Sequence, residues 1–301
     1  MKTALVRFES ECLIYLKSIR DNNVRSLEND SLPFVLTILR THHGTSLFST
    51  QIQLISLDIL KVFASRDILL LINEHALVDI QSLLMTSISS VQKSALLTLL
   101  VVVKKQESLL YISKDVCVRL LNLTANSSMS DLVYQLLGEL CLLSDQLLET
   151  TVNHIKFSWV TSQLCDYDRH GSICKFLEII TKLCYDACQA MVNRGLHATL
   201  WDLISDDRYQ YPIVSMQIMI NICRRDLNLA NNVLNVNSVI PVLNSFLSSK
   251  YPKQNELGLL LCHVCGQYGK RKSNFYLVNI EHHMNKPNES EDSAVIVENT
   301  Q

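Results

Sequence analysis

Glycine and proline are scarce in this chain, which has 7 and 5 of them among 301 residues. Average usage is roughly 7% and 5%, so few tight turns can form and long helices are expected. Scarce glycine also argues against the glycine-rich loops that cradle phosphate groups. The G-x-S-x-G and H-E-x-x-H signatures of hydrolytic enzymes are missing too. Sequence motifs therefore indicate no enzyme class.

Charge of one sign is also lacking, since the formal net charge is −2 and the pI is about 6.5. This balance argues against a chain-wide surface for nucleic acid or acidic membranes. The longest strongly apolar run, 95–103, is too short to cross a bilayer, and the N-terminus does not have the pattern of a secretory signal. We expect an intracellular protein, in the cytoplasm or nucleus, without membrane insertion. Its 10 cysteines are then expected to be reduced and buried.

A hydrophobic content of 48% with 19% charged residues is ample for a folded chain. Its length exceeds what one hydrophobic core usually organises, so two domains or a stack of repeats is expected. A search for internal repeats separates these possibilities.

A period of about 40 residues runs through the chain in three series of apolar positions. The last apolar residues of predicted short helices are Ile72, Ile112, Val152 and Val192. Predicted second helices begin near Leu32, Leu77, Val116, Ile155, Leu196 and Val239. Predicted third helices align on Leu57, Leu96, Leu136, Leu177, Ile218 and Leu259. Three series with one period predict a repeat of one short and two longer helices.

Local chemistry supports these boundaries. Pro212 and Pro252 stand where third helices should begin, a position at which a missing N–H costs little. Ser31 and Ser238 are predicted N-caps of second helices. Gly195 falls between a short and a second helix, where a positive φ makes a sharp turn cheap.

This pattern resembles the armadillo repeat, most clearly over residues 187–225 and next over 227–265. The predicted fold is all-α, a right-handed α-solenoid of about six armadillo-like repeats, with HEAT-type stacking as the close alternative. Four segments follow from this interpretation. They are an N-terminal capping helix (1–24), the solenoid (25–270), a C-terminal cap extension (271–284) and a disordered acidic tail (285–301).

The resemblance implies that third helices line a concave groove that binds segments of other proteins. Peptide-binding members carry Trp, followed four residues later by Asn, on successive third helices, and here only Asn221 matches. Both tryptophans, Trp159 and Trp201, fall in second helices, where packing between repeats is expected. The groove positions predicted to bind a partner are Gln135, Glu139, Lys175, Lys182, Gln217, Asn221, Arg224 and Arg225. A merely solvated face is the alternative interpretation of this set.

The candidate metal ligands are Cys262 and Cys265, a Cys-x-x-Cys pair, with His282 and His283 downstream. Buried structural thiols are the preferred interpretation, because the pair lies inside a predicted third helix and adjacent histidines rarely bind one ion together. No metal or other cofactor is therefore expected.

A short basic cluster, Lys270, Arg271 and Lys272, follows the last repeat. It is the one place where weak contact with nucleic acid is considered, and a solvated helix end is the alternative.

Taken together, these features predict a non-enzymatic scaffold or adaptor that binds a helical or extended segment of a partner protein in its groove. The alternative is a self-assembly module whose terminal repeats form a homodimer. A zinc- or thiol-dependent enzyme is the third hypothesis.

Overall fold

The computed structural model describes residues 2–21, 30–42, 46–126, 128–165 and 170–269. Within these ranges the regular structure is helical, and no strand occurs. The α-helices are α1 (Lys2–Asp21), α2 (Ser31–Thr41), α3 (Leu47–Arg66), α4 (Ile68–Asn73), α5 (Ala76–Ser82), α6 (Ser89–Val102), α7 (Lys114–Leu123), α8 (Ser130–Leu143), α9 (Asp145–His154), α10 (Phe157–Leu164), α11 (His170–Leu183), α12 (Tyr185–Asn193), α13 (Leu196–Ile204), α14 (Pro212–Cys223), α15 (Leu227–Leu234), α16 (Val239–Leu247) and α17 (Pro252–Gly269). Two 3-10 helices, Leu83–Met85 and Gln106–Tyr111, complete the set.

These helices fall into six repeats. Repeat 1 consists of α2 and α3, and repeat 2 of α4, α5 and α6. Repeat 3 has the 3-10 helix Gln106–Tyr111 as its first element, followed by α7 and α8. Repeats 4, 5 and 6 are α9 to α11, α12 to α14 and α15 to α17. The predicted all-α solenoid is confirmed.

The third helices of successive repeats form a continuous layer, in which α3 packs on α6, α8 on α11, and α11 on α14. The predicted third-helix anchors Leu57, Leu96, Leu136, Leu177 and Ile218 are fully buried in this layer. Leu259 is different, because 40% of its surface is exposed. It lies on α17, and no later third helix in the described part of the chain packs against that helix.

Second helices contact one another much less closely than third helices do. Helices α10 and α13, for example, meet over a smaller surface than α11 and α14. A stack whose layers are spaced unequally must curve toward the tighter layer. The third helices therefore form the inner face, as the armadillo resemblance implies.

Helix α1 lies against α3 at the start of the stack. Its residues Cys12, Leu13 and Leu16 are buried there. Residues 22–24 of the predicted capping helix lie outside the described residues. So do the predicted extension and acidic tail, 271–301.

The local signals at helix starts have mixed outcomes. Pro212 and Pro252 each begin a third helix as predicted, and Gly195 has φ 73° between α12 and α13. Ser31 is the first residue of α2 and not its N-cap. Ser238 is the N-cap residue of α16 as predicted, but its side chain makes no cap hydrogen bond, and its Oγ donates to Asp202 Oδ1 at 3.2 Å instead.

Helix C-termini depend on side chains for their caps. The last carbonyl groups of a helix have no partner within it, and a glycine in the left-handed region is the usual remedy. In the described residues only His75 and Gly195 have positive φ. With so few such turns, other hydrogen-bond donors must reach the exposed carbonyl groups.

Three second helices supply these donors to the next repeat. Arg40 Nη2 of α2 donates to Glu74 O at the end of α4, at 2.9 Å. Gln81 Nε2 of α5 donates to Tyr111 O, also at 2.9 Å, at the end of the first element of repeat 3. Trp201 Nε1 of α13 donates at 2.8 Å to the Val233 carbonyl near the end of α15. Repeats 1, 2 and 5 thus each complete the first helix of the following repeat.

By length and composition, α3 is the one helix among the described residues that could cross a membrane. Within the solenoid, 56% of its apolar stretch is buried. Packing against α1, α2 and α6 accounts for this apolar character.

Candidate functional site

A cavity of about 510 Å³ opens between α8 and α11 on the third-helix layer. We call it the groove cavity. It is lined by Asp131, Leu132, Tyr134, Gln135, Gly138, Glu139, Gly171, Ser172, Lys175, Phe176, Ile179 and Tyr211.

Helical spacing places the polar side chains of this cavity. Asp131, Gln135 and Glu139 stand four residues apart on α8, so they form one stripe along the helix. Lys175 and Ile179 have the same spacing on the facing helix α11. Helix α8 therefore presents a polar stripe to the groove cavity, and α11 presents a stripe with one basic and one apolar residue.

Two glycines allow the walls of the groove cavity to approach closely. A Cβ added at Gly171 would lie 2.8 Å from the Tyr211 hydroxyl oxygen, and one at Gly138 would lie 3.0 Å from Ile179 Cδ1. The Tyr211 ring consequently rests against the α11 backbone and closes one end of the cavity. Since Tyr211 directly precedes Pro212, the start of α14 fixes the position of this ring.

Hydrogen bonds hold the rest of the wall. Ser172 Oγ donates to Asp131 Oδ1 across α11 and α8. The Tyr134 hydroxyl donates to Gln163 Oε1 at 2.5 Å, and Gln163 Nε2 donates to the Thr124 carbonyl at 2.7 Å. Burial raises the pKa of Tyr134 well above its usual value, so the phenol is neutral. Tyr134 is a rigid part of the cavity wall.

Three of the sequence-predicted partner-binding residues meet in this cavity. Gln135 and Lys175 are exposed, and Glu139 is half-buried. Lys182 and Arg224 are exposed at the ends of α11 and α14, and neither lines the groove cavity.

Asn221, the one match to the peptide-binding pattern, makes contacts within the protein. It is buried, and its Nδ2 lies 3.4 Å from both Glu178 O and Thr181 Oγ1 on α11. Its Oδ1 accepts from Gln217 Nε2 at 3.1 Å. Asn221 and Gln217 therefore help to dock α14 on α11.

Arg225 has a similar structural role. Its Nη2 donates to Thr181 O at 2.9 Å and to Lys182 O at 2.6 Å. Both carbonyl groups belong to the last turn of α11, so Arg225 is a cross-repeat cap. A substitution of Arg225 would perturb the packing of repeats 4 and 5 as well as any bound ligand.

The Cys-x-x-Cys pair is arranged as part of a helix interface. Cys262 is buried, and burial raises the pKa of its thiol to about 11. Cys265 forms a hydrogen bond with Cys223 of α14, which helps to raise the pKa of Cys223. His282 and His283 lie outside the described residues, as does the cluster 270–272. Over the described ranges, no three His, Cys, Asp or Glu residues are grouped so that they could hold a metal ion.

Aromatic residues are the part of the site that sequence reasoning missed. Phe176 and Tyr134 pack with their ring centroids 5.4 Å apart in the cavity wall. Tyr211 could have been suspected from its place before Pro212. Trp201 packs between repeats as predicted, whereas Trp159 is only partly covered, with 44% of its surface exposed.

Comparison with solved structures shows which fold this is. A computationally designed armadillo repeat protein for modular peptide recognition aligns with TM-score 0.66 and 14% identity, over 77% of this chain and 99% of that chain. A designed armadillo repeat protein in complex with the peptide (KR)4 aligns with TM-score 0.66 and 15% identity, over 77% and 98%. An engineered protein aligns with TM-score 0.66 and 16% identity, over 78% and 97%. No family model and no curated protein matches this sequence. The chain is an all-α solenoid with an armadillo-like helical repeat fold.

Proposed function

We propose that this protein is a non-enzymatic scaffold or adaptor, working in the cytoplasm or nucleus, that binds a helical or extended segment of a partner protein. The segment would lie along the third-helix layer and insert a large side chain into the groove cavity. The observation that carries this proposal is that the cavity brings together Gln135, Glu139 and Lys175 with the half-buried ring of Tyr211.

Several properties of the site favour a protein segment as ligand. An anchor side chain in a well-formed pocket, surrounded by polar contacts, is the usual origin of affinity at protein interfaces. Because Tyr134 and Tyr211 are held by their own contacts, binding would require little reordering of the cavity. The armadillo-like neighbours include a designed protein in complex with the peptide (KR)4, which supports peptide binding as a use of this fold.

Thiol chemistry fits the buried cysteines poorly. A cysteine nucleophile needs a thiolate, and therefore a lowered pKa. Burial raises the pKa of both Cys188 and Cys262 to about 11. The raised pKa values of these two thiols favour the scaffold over a thiol-dependent enzyme.

The test is affinity purification from the native cell followed by mass spectrometry. The groove variant combines Gln135→Ala with Lys175→Glu, because both side chains are exposed and both line the groove cavity. Lys114→Glu on α7 is the matched control, since it is also exposed, makes the same charge change and does not line the cavity. Asn221 and Arg225 are unsuitable, because they hold α14 to α11.

We expect one stable partner to be lost from the groove variant and retained by wild type and the control. A synthetic segment of that partner should then bind the purified protein and lose affinity with the groove variant. A partner list that is the same for all three proteins, with the helical circular dichroism unchanged, would contradict the proposal.

Self-assembly is the second candidate, and it is favoured by exposed aromatic residues at the N-terminal end of the solenoid. Tyr15 of α1 and Phe34 of α2 are exposed and form an edge-to-face pair with ring centroids 4.7 Å apart. Phe8 is also exposed on α1. A molecular mass that rises to that of a dimer with concentration, and that Phe34→Asp returns to the monomer, would support homodimer formation. A monomer at all concentrations would exclude it.

A further inference from the structure

A second cavity lies on the side of the second helices, beside Trp159. It has a volume of about 230 Å³ and is formed by the end of α7, the link between α9 and α10, and the first turns of α10. We call it the outer cavity. Trp159 on α10 lines it together with the apolar residues Leu121, Ile155 and Val160.

The exposure of Trp159 is unusual in this fold. Trp201, on the second helix α13 of the next repeat, is fully buried and donates a hydrogen bond to α15. Trp159 keeps 44% of its surface in solvent although it borders a cavity with both polar and apolar lining residues. Exposed tryptophan beside a pocket is a frequent feature of protein-binding surfaces, where this residue often supplies much of the affinity.

One side of the outer cavity carries a basic residue. Lys156 lines it, and no carboxylate is among its lining residues. His154 Nδ1 lies 2.8 Å from the Thr150 carbonyl, which requires this nitrogen to donate and fixes the ring. The exposed Lys156 ammonium group therefore favours an anionic neighbour.

We propose that the outer cavity is an anchor site for a partner segment that carries an apolar side chain flanked by acidic residues. The apolar side chain packs against Trp159 and fills the cavity, whose volume suits one large side chain. A flanking carboxylate pairs with Lys156. Both interactions are needed for specificity, because exposed ion pairs alone contribute little.

This site is separate from the groove and does not rest on the proposed function. The two cavities have one lining residue in common, the buried Tyr134, and otherwise different walls.

Fluorine NMR with fluorotryptophan tests the proposal directly, because the chain has only two tryptophans. Trp159→Phe assigns the two resonances. The probe is the capped peptide Glu-Glu-Phe-Glu-Glu, compared with Lys-Lys-Phe-Lys-Lys and Glu-Glu-Ser-Glu-Glu. With peptide up to about 1 mM, a weak-binding range, we expect a saturable shift of the Trp159 resonance with the first peptide alone. The Trp201 resonance should not move.

Variants then separate the cavity from general charge effects. With para-fluorophenylalanine in the peptide, we expect Trp159→Ala to weaken binding at least about tenfold. Lys156→Glu should weaken it about fivefold, the upper end for an exposed ion pair. Lys105→Glu is the matched control, because Lys105 is exposed and does not line the cavity, and it should change affinity less than about twofold.

Three results would overturn the proposal. They are no saturable shift of Trp159, equal binding of the basic peptide, and equal weakening by Lys105→Glu and Lys156→Glu. Lys105 and Lys156 are both exposed, so the two charge-reversal variants should keep the circular dichroism of the wild type. Their affinities for the peptide can then be compared directly.

Discussion

Replacing Trp201 by Phe tests the cross-repeat caps. The indole N–H donates at 2.8 Å to the Val233 carbonyl, and Trp201 and Val233 are both fully buried. Phe removes the donor and leaves a buried carbonyl group without its partner, which costs about 1–3 kcal/mol. The smaller ring also leaves a void in a packed site, which adds to that cost. We expect the free energy of unfolding to fall by about 2–4 kcal/mol.

The matched control is the same substitution at the other tryptophan. Trp159 is partly exposed, and no hydrogen bond of its indole is among those of the described residues, so Trp159→Phe should change stability by less than about 0.5 kcal/mol. Urea unfolding followed by circular dichroism measures both variants. Hydrogen exchange should show that Trp201→Phe loses protection first in α15, the helix that Trp201 caps. Equal losses for the two variants, or a loss below about 0.5 kcal/mol for Trp201→Phe, would refute the capping argument.

Three further predictions follow from the described contacts. Leu177→Ala should lower the free energy of unfolding by about 2–5 kcal/mol in urea, because Leu177 is fully buried in α11; a loss below 0.5 kcal/mol would mean that it is not a core anchor. The hydrogen bond from Tyr185 lowers the pKa of Asp226 below its unfolded value near 3.9. The ionised Asp226 therefore stabilises the fold above about pH 4, and this stabilisation is lost as the pH falls through the folded pKa. Asp226→Asn should flatten the melting temperature against pH below about pH 4, and an unchanged slope would contradict this. Iodoacetamide at neutral pH should label the exposed Cys165 well before the buried Cys188, whose pKa is raised to about 11, as peptide mass spectrometry can check.

The repeat and most third-helix positions could be predicted because each depends on local sequence. Burial of one helix face every 40 residues leaves a periodic apolar pattern, so Leu136 and Leu177 were identifiable without coordinates. Repeat 3 shows the limit of this reasoning. Its first element is a 3-10 helix, Gln106–Tyr111, with Leu110 91% exposed, although its apolar residues fit the same period.

The candidate site was only partly predictable because its contacts cross between repeats. Gln135 and Lys175 belong to stripes visible in the sequence, and the structure places them in one cavity. Asn221 matched a family position, yet its amide donates a hydrogen bond to Thr181 of α11, 40 residues away in the sequence. Trp159 and Trp201 both lie in second helices, but Trp159 is the third residue of α10 and Trp201 the sixth of α13, so the two rings face different directions and only Trp201 is buried.

The shortage of glycine explains why repeats of this solenoid depend on one another. A helix that ends in glycine satisfies its own carbonyl groups, whereas here Arg40, Gln81 and Trp201 must reach into the following repeat. Separating two repeats would therefore expose apolar surface and also leave helix ends uncapped. This arrangement makes the stack stiffer than apolar packing alone would. For the partner binding proposed above, a stack held together in this way would lower the ordering cost.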